Sequence, residues 1–176
     1  LANDYQERTA VFAARDRCDE TVDHLRSVRT KNYKYIRNFL PNRPYLQPCR
    51  YKDAKAILVA IRQWNAEGKL NEAQKLLMQK VRPAEELYDL RHDPHEINNL
   101  ADDLESGEKL NEMRLRLDQW METSGDQGRQ PEPAEMYDSD MAVYLKKLRG
   151  PKSDPAQLQA LETNIALMKK WAAEGK

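Results

Sequence analysis

The spacing of the apolar residues changes once along this chain, and that change constrains the fold more than any other feature. Up to Phe39 they fall in short runs and in stretches rich in β-branched and aromatic side chains; from Ala54 onward they recur three and four residues apart. A chain of this kind pairs strands and packs helices against them. Val11-Phe12-Ala13-Ala14 reads as a short buried strand. His24–Thr30 and Tyr33–Phe39, which carry Val28, Tyr35 and Ile36, read as the arms of a β-hairpin. Thr30-Lys31-Asn32 supplies its turn, with Asn32 able to take positive φ. Pro41, Pro44 and Pro48 then forbid regular structure, so Pro41–Tyr51 is expected to be a fixed, extended loop.

Ala54, Ile57, Leu58, Ile61 and Trp64 follow helical spacing up to Gly68, and Leu70, Ala73, Leu76, Leu77 and Val81 form a second stripe that stops before Pro83. Trp64 and Trp120 are expected in helix cores. Glu85–Leu90 reads as another strand, ended by an Asp93-Pro94 turn. Leu110, Met113, Leu117 and Trp120 line a longer helix that ends at Gly125. Two more helices are expected: Ser139–Arg149, and one with Ser153 or Asp154 as N-cap and Pro155 in its first turn. The fold class is α+β, a small antiparallel sheet with helices on one side, and there is no internal repeat.

Composition enters at the core. Leu, Ile, Val and Phe number 33 of 176 residues, few enough to suggest disorder, yet 29 basic residues balance 29 acidic ones. The chain is therefore folded but core-poor, and is expected to bury a face against something else. Its longest apolar run, Ala56–Ile61, is far short of the roughly 20 residues a bilayer requires. No leader is visible at Leu1–Ala10, and the chain reads as the interior of a longer open reading frame. Cys18 and Cys49 permit one disulfide at most, and two free thiols are expected.

The neutral total hides two blocks. His24–Lys52 holds eight bases and no acid, and Glu85–Glu112 holds ten acids against Arg91 and Lys109. They face each other or sit on separate solvated faces; alternatively, the basic block forms a surface that attracts polyanions. Nucleophilic triads, phosphate loops and zinc-ligand spacings are missing. His92-Asp93-Pro94-His95 invites a metal reading, but Asp-Pro forms turns and a solvated turn is expected. Arg15-Asp16-Arg17-Cys18-Asp19-Glu20 follows the first strand, where active-site loops or salt-bridged turns commonly lie.

Four stretches in order carry a resemblance: Phe12-Ala-Ala-Arg-Asp-Arg-Cys-Asp-Glu20; Val28–Phe39 with Pro41 and Arg43-Pro44-Tyr45; Pro83–Leu90 with Asp93-Pro94, Glu96 and Asn98-Asn99-Leu100-Ala101; and Gly125-Asp126-Gln127-Gly128 with Pro131-Glu132. The set resembles the C-terminal part of an arylsulfatase-type sulfatase, near the N-sulfoglucosamine sulfohydrolase (heparan N-sulfatase) branch of the alkaline-phosphatase superfamily. It places a sulfatase C-terminal region over residues 1–133 and leaves 134–176 as a helical extension.

The resemblance implies a larger N-terminal catalytic domain of the same chain, carrying a formylglycine and a calcium ion. It also implies a four-stranded antiparallel sheet with a helix here, closing one side of a pocket for sulfated carbohydrate. Neither Cys18-Asp-Glu-Thr-Val nor Cys49-Arg-Tyr-Lys-Asp is a formylglycine site, and Ser153-Asp-Pro-Ala-Gln has Gln where Arg is needed. These residues alone are expected to hold no catalytic group, no metal and no hydrolytic activity. Arg15, Asp16, Arg17 and Asp19 are the substrate-binding candidates: the arginines for sulfate or carboxylate, the aspartates for sugar hydroxyls or for orienting the arginines. The resemblance further implies a periplasmic, secreted or lysosomal parent, with neither nucleic acid nor membrane as partner. Two alternatives stand beside it: a stand-alone polyanion binder using the basic hairpin with Tyr33, Tyr35 and Tyr45, and a structural interaction domain.

Overall fold

The hairpin written into the β-branched and aromatic residues forms the centre of a sheet. A computed structural model describes residues 7–150 and 153–176; residues 1–6, within the stretch read for a leader, lie outside it. Strand β2 (Thr21–Arg29) pairs antiparallel with β3 (Tyr33–Asn38), with Val28 opposite Tyr35 and Leu25 opposite Asn38. The turn is held by Thr30, whose N–H donates to the Tyr33 carbonyl at 2.9 Å and whose Oγ1 accepts from the Tyr33 N–H at 3.1 Å. Asn32 does not take positive φ. The threonine hydroxyl already closes the turn, so no left-handed residue is required.

Strand β4 (Glu85–Asp89) adds to β3 with Leu87 opposite Tyr35, and β1 (Val11–Cys18) lies beyond β2, giving an antiparallel sheet in the order β1-β2-β3-β4. The expectation of a short buried strand at 11–14 needs correction. β1 is an edge strand of eight residues, partly exposed, that continues through Arg15-Asp16-Arg17. An edge strand tolerates such charges, which also discourage pairing with other chains. Asp19 and Glu20 turn the chain into β2, with Asp19 in the left-handed region at φ 51°.

Two compact units make up the chain. The first comprises the described residues up to Arg15, His24–Phe39 and Pro83–Arg129, and its long helix, the fourth in chain order, is α4 (Gly107–Thr123). Leu110, Met113, Leu117 and Met121 of α4 recur at helical spacing and bury against Val28, Tyr35 and Leu87. Burying each such side chain contributes about 1.5–3 kcal/mol. Phe12 stacks on Trp120 with ring centroids 5.2 Å apart. Gly125, at φ 65°, lies just beyond the helix end as its sequence position requires. The Asn98–Ala101 and Asp93-Pro94 motifs serve backbone closure. Asn99 accepts from the Leu87 N–H at 2.9 Å and donates to the Glu85 carbonyl at 3.0 Å, and Asp93 accepts from the N–H groups of Ile97 and Asn98, each at 2.8 Å.

The second unit comprises Asp16–Asp23, Leu40–Arg82 and Gln130–Lys176. The proline loop is irregular as expected, but it ends at Cys49. Arg50 and Tyr51 already belong to a helical turn, α1 (Arg50–Asp53), because Asp53 accepts the Cys49 N–H at 3.0 Å. Helix α2 (Ala56–Ala66) buries Ile61 alone; Ile57 is 70% exposed and Trp64 43%, so the expected core stripe mostly faces outward. Helix α3 (Glu72–Leu77) is shorter than its stripe and opens on an Asn71–Gln74 capping box. Helix α5 (Ala134–Leu148) starts earlier than Ser139, after Pro133, and α6 (Pro155–Ala173) is capped by Asp154, which accepts the Ala156 N–H at 2.9 Å. Tyr137, Met141, Leu161, Ile165 and Met168 form this unit's core.

Candidate functional site

The charged run that follows the apolar start of β1 splits between the two units. Arg15, in the first, is half-buried, and its carbonyl accepts from Arg26 Nη1 at 3.4 Å. Asp16, in the second, is exposed. Arg17 donates to Asp140, lies 3.4 Å from Glu132, and sits 5.9 Å from the Tyr137 ring centre. Burial opposes its charge, but Asp140 and Glu132 outweigh that and raise the guanidinium above its ordinary pKa. Arg17 Nη1 is buried without a hydrogen-bond partner. The residue thus stays permanently charged, is held by two carboxylates, and keeps one donor nitrogen unmatched.

Around the β1–β2 turn the second unit places a buried carboxylate and two thiols. Glu20 Oε1 accepts from the Arg50 N–H at 2.6 Å and from Asn164 at 2.7 Å, while Oε2 is buried and unpartnered. Tyr137 donates to the Glu20 carbonyl at 2.8 Å. Cys18 Sγ, Cys49 Sγ and an Asp19 carboxylate oxygen lie within 4.8 Å of one another. Burial, with Glu20 and Cys18 adding to it, pushes the Cys49 thiol up. Two sulfurs and one carboxylate are the wrong donors for calcium, which takes six to eight oxygens; the resemblance places its calcium ion in the N-terminal domain and not among these residues. At His92-Asp93-Pro94-His95 the turn forms, and the exposed His92 Nδ1 lies 3.1 Å from Asp89.

Within the first unit, an open cleft of about 760 Å³ runs past the start of β1, the β2–β3 turn and α4. Arg8, Arg29, Lys31, Lys109 and Arg116 line it against Glu7 and Glu112. Glu112 engages both Lys109 and Arg116, the latter at 3.0 Å. Tyr33 lies beneath Lys109 and Arg91, at 5.1 Å and 5.2 Å. Arg8, Arg29 and Lys31 carry no ion pair among the described residues. Elsewhere much of the basic block is engaged: Arg26 meets Asp126 at 2.9 Å, Lys34 meets Glu96 at 2.5 Å, Arg37 meets Asp118 at 2.6 Å, and Arg43 donates to the Val22 carbonyl at 2.8 Å. Only part of the block is left to face a solvent polyanion.

No family model matches the chain. Over 127 residues it is 42% identical to an ulvan-active sulfatase of Formosa agariphila, a match that covers 72% of this chain and 21% of that protein. The chain resembles the C-terminal part of a sulfatase. It spans about a fifth of the length of the curated sulfatase it matches. Among solved structures, a sulfatase of Bacteroides thetaiotaomicron aligns at 22% identity and TM-score 0.43, over 73% of this chain and 20% of its own. A sulfatase bound to D-glucosamine-2-N,6-O-disulfate aligns at 17% identity and TM-score 0.40, over 74% and 19%.

Sequence reasoning missed the cleft bases Arg8, Lys109 and Arg116 and the approach of Cys18 to Cys49. The cysteines are 31 positions apart, and only the paired charges of the sulfatase-like stretch around Cys18 mark that region as special.

Proposed function

We propose that this chain is the C-terminal domain of a sulfatase acting on sulfated carbohydrate, and that it contributes pocket wall and substrate specificity to an N-terminal catalytic domain of the same chain. The 127-residue match to an ulvan-active sulfatase carries the reading. In it, the formylglycine and calcium belong to the N-terminal domain, and residues 1–176 are inactive alone. The motifs lie near the N-sulfoglucosamine sulfohydrolase branch, so a sulfuric ester or sulfamate of a carbohydrate is the bond offered for cleavage. The exposed Ile57 and Trp64 of α2 give a core-poor chain an apolar face for a further domain to cover. Arg15, Asp16, Arg17 and Asp19 are the residues offered to the sugar, with Arg17 positioned by Asp140 and Glu132. The parent is periplasmic, secreted or lysosomal; among the described residues no helix is long and apolar enough to cross a membrane.

The test uses the full-length protein with Arg15→Ala and Arg17→Ala together. A rise in KM or a changed substrate preference on sulfated sugars is expected; unchanged specificity and affinity would overturn the assignment. The cleft of Arg8, Arg29 and Lys31 favours a second reading, a surface that holds a polyanionic chain away from the reacting sulfate. Its mark is binding that weakens steeply with salt, since exposed charges are screened within about 8 Å at physiological ionic strength.

A further inference from the structure

We propose that Cys18 and Cys49 form a dithiol pair that closes to an intramolecular disulfide when the protein meets a disulfide oxidant. The inference stands on the second unit's geometry and does not depend on the sulfatase reading. The two sulfurs lie within 4.8 Å of each other, and Cys49 Sγ is 4.0 Å from the Cys18 carbonyl oxygen. Hydrogen bonds fix the backbone on both sides of the pair. Thr21 donates to the Pro48 carbonyl at 2.7 Å, the Arg50 N–H donates to Glu20 at 2.6 Å, and the Cys49 N–H donates to Asp53 at 3.0 Å. These bonds bracket Cys49 in the loop and tie it to the turn that follows Cys18. Reaching the ~2.0 Å of a sulfur–sulfur bond then requires side-chain rotation between staggered rotamers.

The chemistry is thiol–disulfide exchange with a small-molecule disulfide or a dithiol–disulfide oxidoreductase. Cys18 is half-buried and Cys49 buried, so Cys18 is the first to react. Its thiolate attacks one sulfur of the oxidant, forming a mixed disulfide and releasing one thiol. Cys49 gives up its proton to solvent and attacks Cys18 Sγ, the mixed disulfide breaks, and the oxidant's second thiol leaves. Two protein thiols become one disulfide, and one oxidant disulfide becomes two thiols. The product ties the end of β1 to the residue preceding α1. Asp19 beside the sulfurs makes a zinc ion the competing occupant, but it supplies only the third of the four ligands that a closed zinc site requires.

The full chain is incubated with oxidised glutathione, alkylated and mapped by peptide mass. The expected result is loss of both thiols together, a single cross-linked peptide pair containing Cys18 and Cys49, and a mass lower by two hydrogens. Cys49→Ser is expected instead to stop at the mixed disulfide, with one glutathione retained on Cys18. Two glutathiones on the wild-type chain, or cross-links between chains in place of the internal one, would overturn the pairing. So would two thiols that remain alkylatable in wild type under conditions that modify Cys49→Ser. Stoichiometric zinc retained through purification, with both thiols shielded until a chelator is added, would also refute it in favour of a metal site.

Discussion

Gly128→Ala is the most revealing single change in the first unit. A Cβ at this position would lie 1.9 Å from Arg26 Nη2, 2.2 Å from its Cζ and 2.6 Å from its Nε, so something must move. Arg26 has little freedom to do so. It is 2% exposed; its Nε bridges the two Asp126 oxygens at 2.9 and 3.0 Å, and its Nη1 donates to the Leu25 carbonyl at 2.9 Å. Displacing the guanidinium would strand a buried charge, at about 3–5 kcal/mol. Moving the Asp126–Arg129 loop outward is cheaper. It strains the 2.9 Å bond from the Gly128 N–H to Asp126, worth about 0.5–1.5 kcal/mol, and adds overpacking of about 1–3 kcal/mol. A loss of about 2–4 kcal/mol is therefore expected, read as a lower urea midpoint with an unchanged slope. The cause is the clash, because Gly128 has no positive φ to defend. Adding Arg26→Ala removes the obstacle, so Gly128→Ala should cost little in that background, and the coupling should approach the whole loss of about 2–4 kcal/mol. Additive losses would show that the Gly128–Arg26 approach is not what this glycine is for.

Other outcomes follow from the same inventory of partners. Asp23 and Arg82 pair with both side chains 2% exposed, so Asp23→Ala should cost about 3–5 kcal/mol, while Asp23→Leu with Arg82→Met should recover most of it. Asp154→Ala removes the α6 cap and should cost about 1 kcal/mol in thermal or urea unfolding. Glu85 is held below its usual 4.5 by Arg114, and Asp118 below its usual 3.8 by Arg37. A carboxylate depressed in the folded state stabilises above its unfolded pKa and loses that contribution as pH falls through the folded value. Urea midpoints should therefore drop as pH is lowered below about 4.5, less steeply in Arg114→Ala. Tyr35, pushed up to about 12 by burial and by donating to Glu85, should stay protonated in a spectrophotometric titration well past the ordinary tyrosine range.

Local chemistry made much of this fold readable. Val28, Tyr35, Leu87 and the Leu110–Leu117 stripe declared their periods, and Asp154-Pro155 and Gly125 marked helix ends by rules that act within a few residues. What could not be read depends on partners distant in sequence. Arg15-Asp16-Arg17 looks like the end of a strand because nothing local says that an edge position admits charge. Ile57 and Trp64 satisfy a helical stripe yet face outward, since spacing tells which residues share a face and not what covers it. The charge blocks left open whether the bases face acids or a solvent polyanion, because Arg26, Lys34 and Arg37 find their acids up to 100 positions away. Among the site candidates, the motif around Arg15–Asp19 was recognisable as a block. The carboxylates that hold Arg17 come from Glu132 and Asp140, which no spacing links to it.

Release of inorganic sulfate from a sulfated carbohydrate by the full-length protein tests the central claim most directly, with the 176-residue chain assayed beside it. The account predicts sulfate release by the full-length protein, none by the 176-residue chain, and a lower rate at limiting substrate when Arg15 and Arg17 are both replaced by alanine. A full-length protein that releases no sulfate from ulvan, heparan or their sulfated sugars, or an active 176-residue chain, would contradict it.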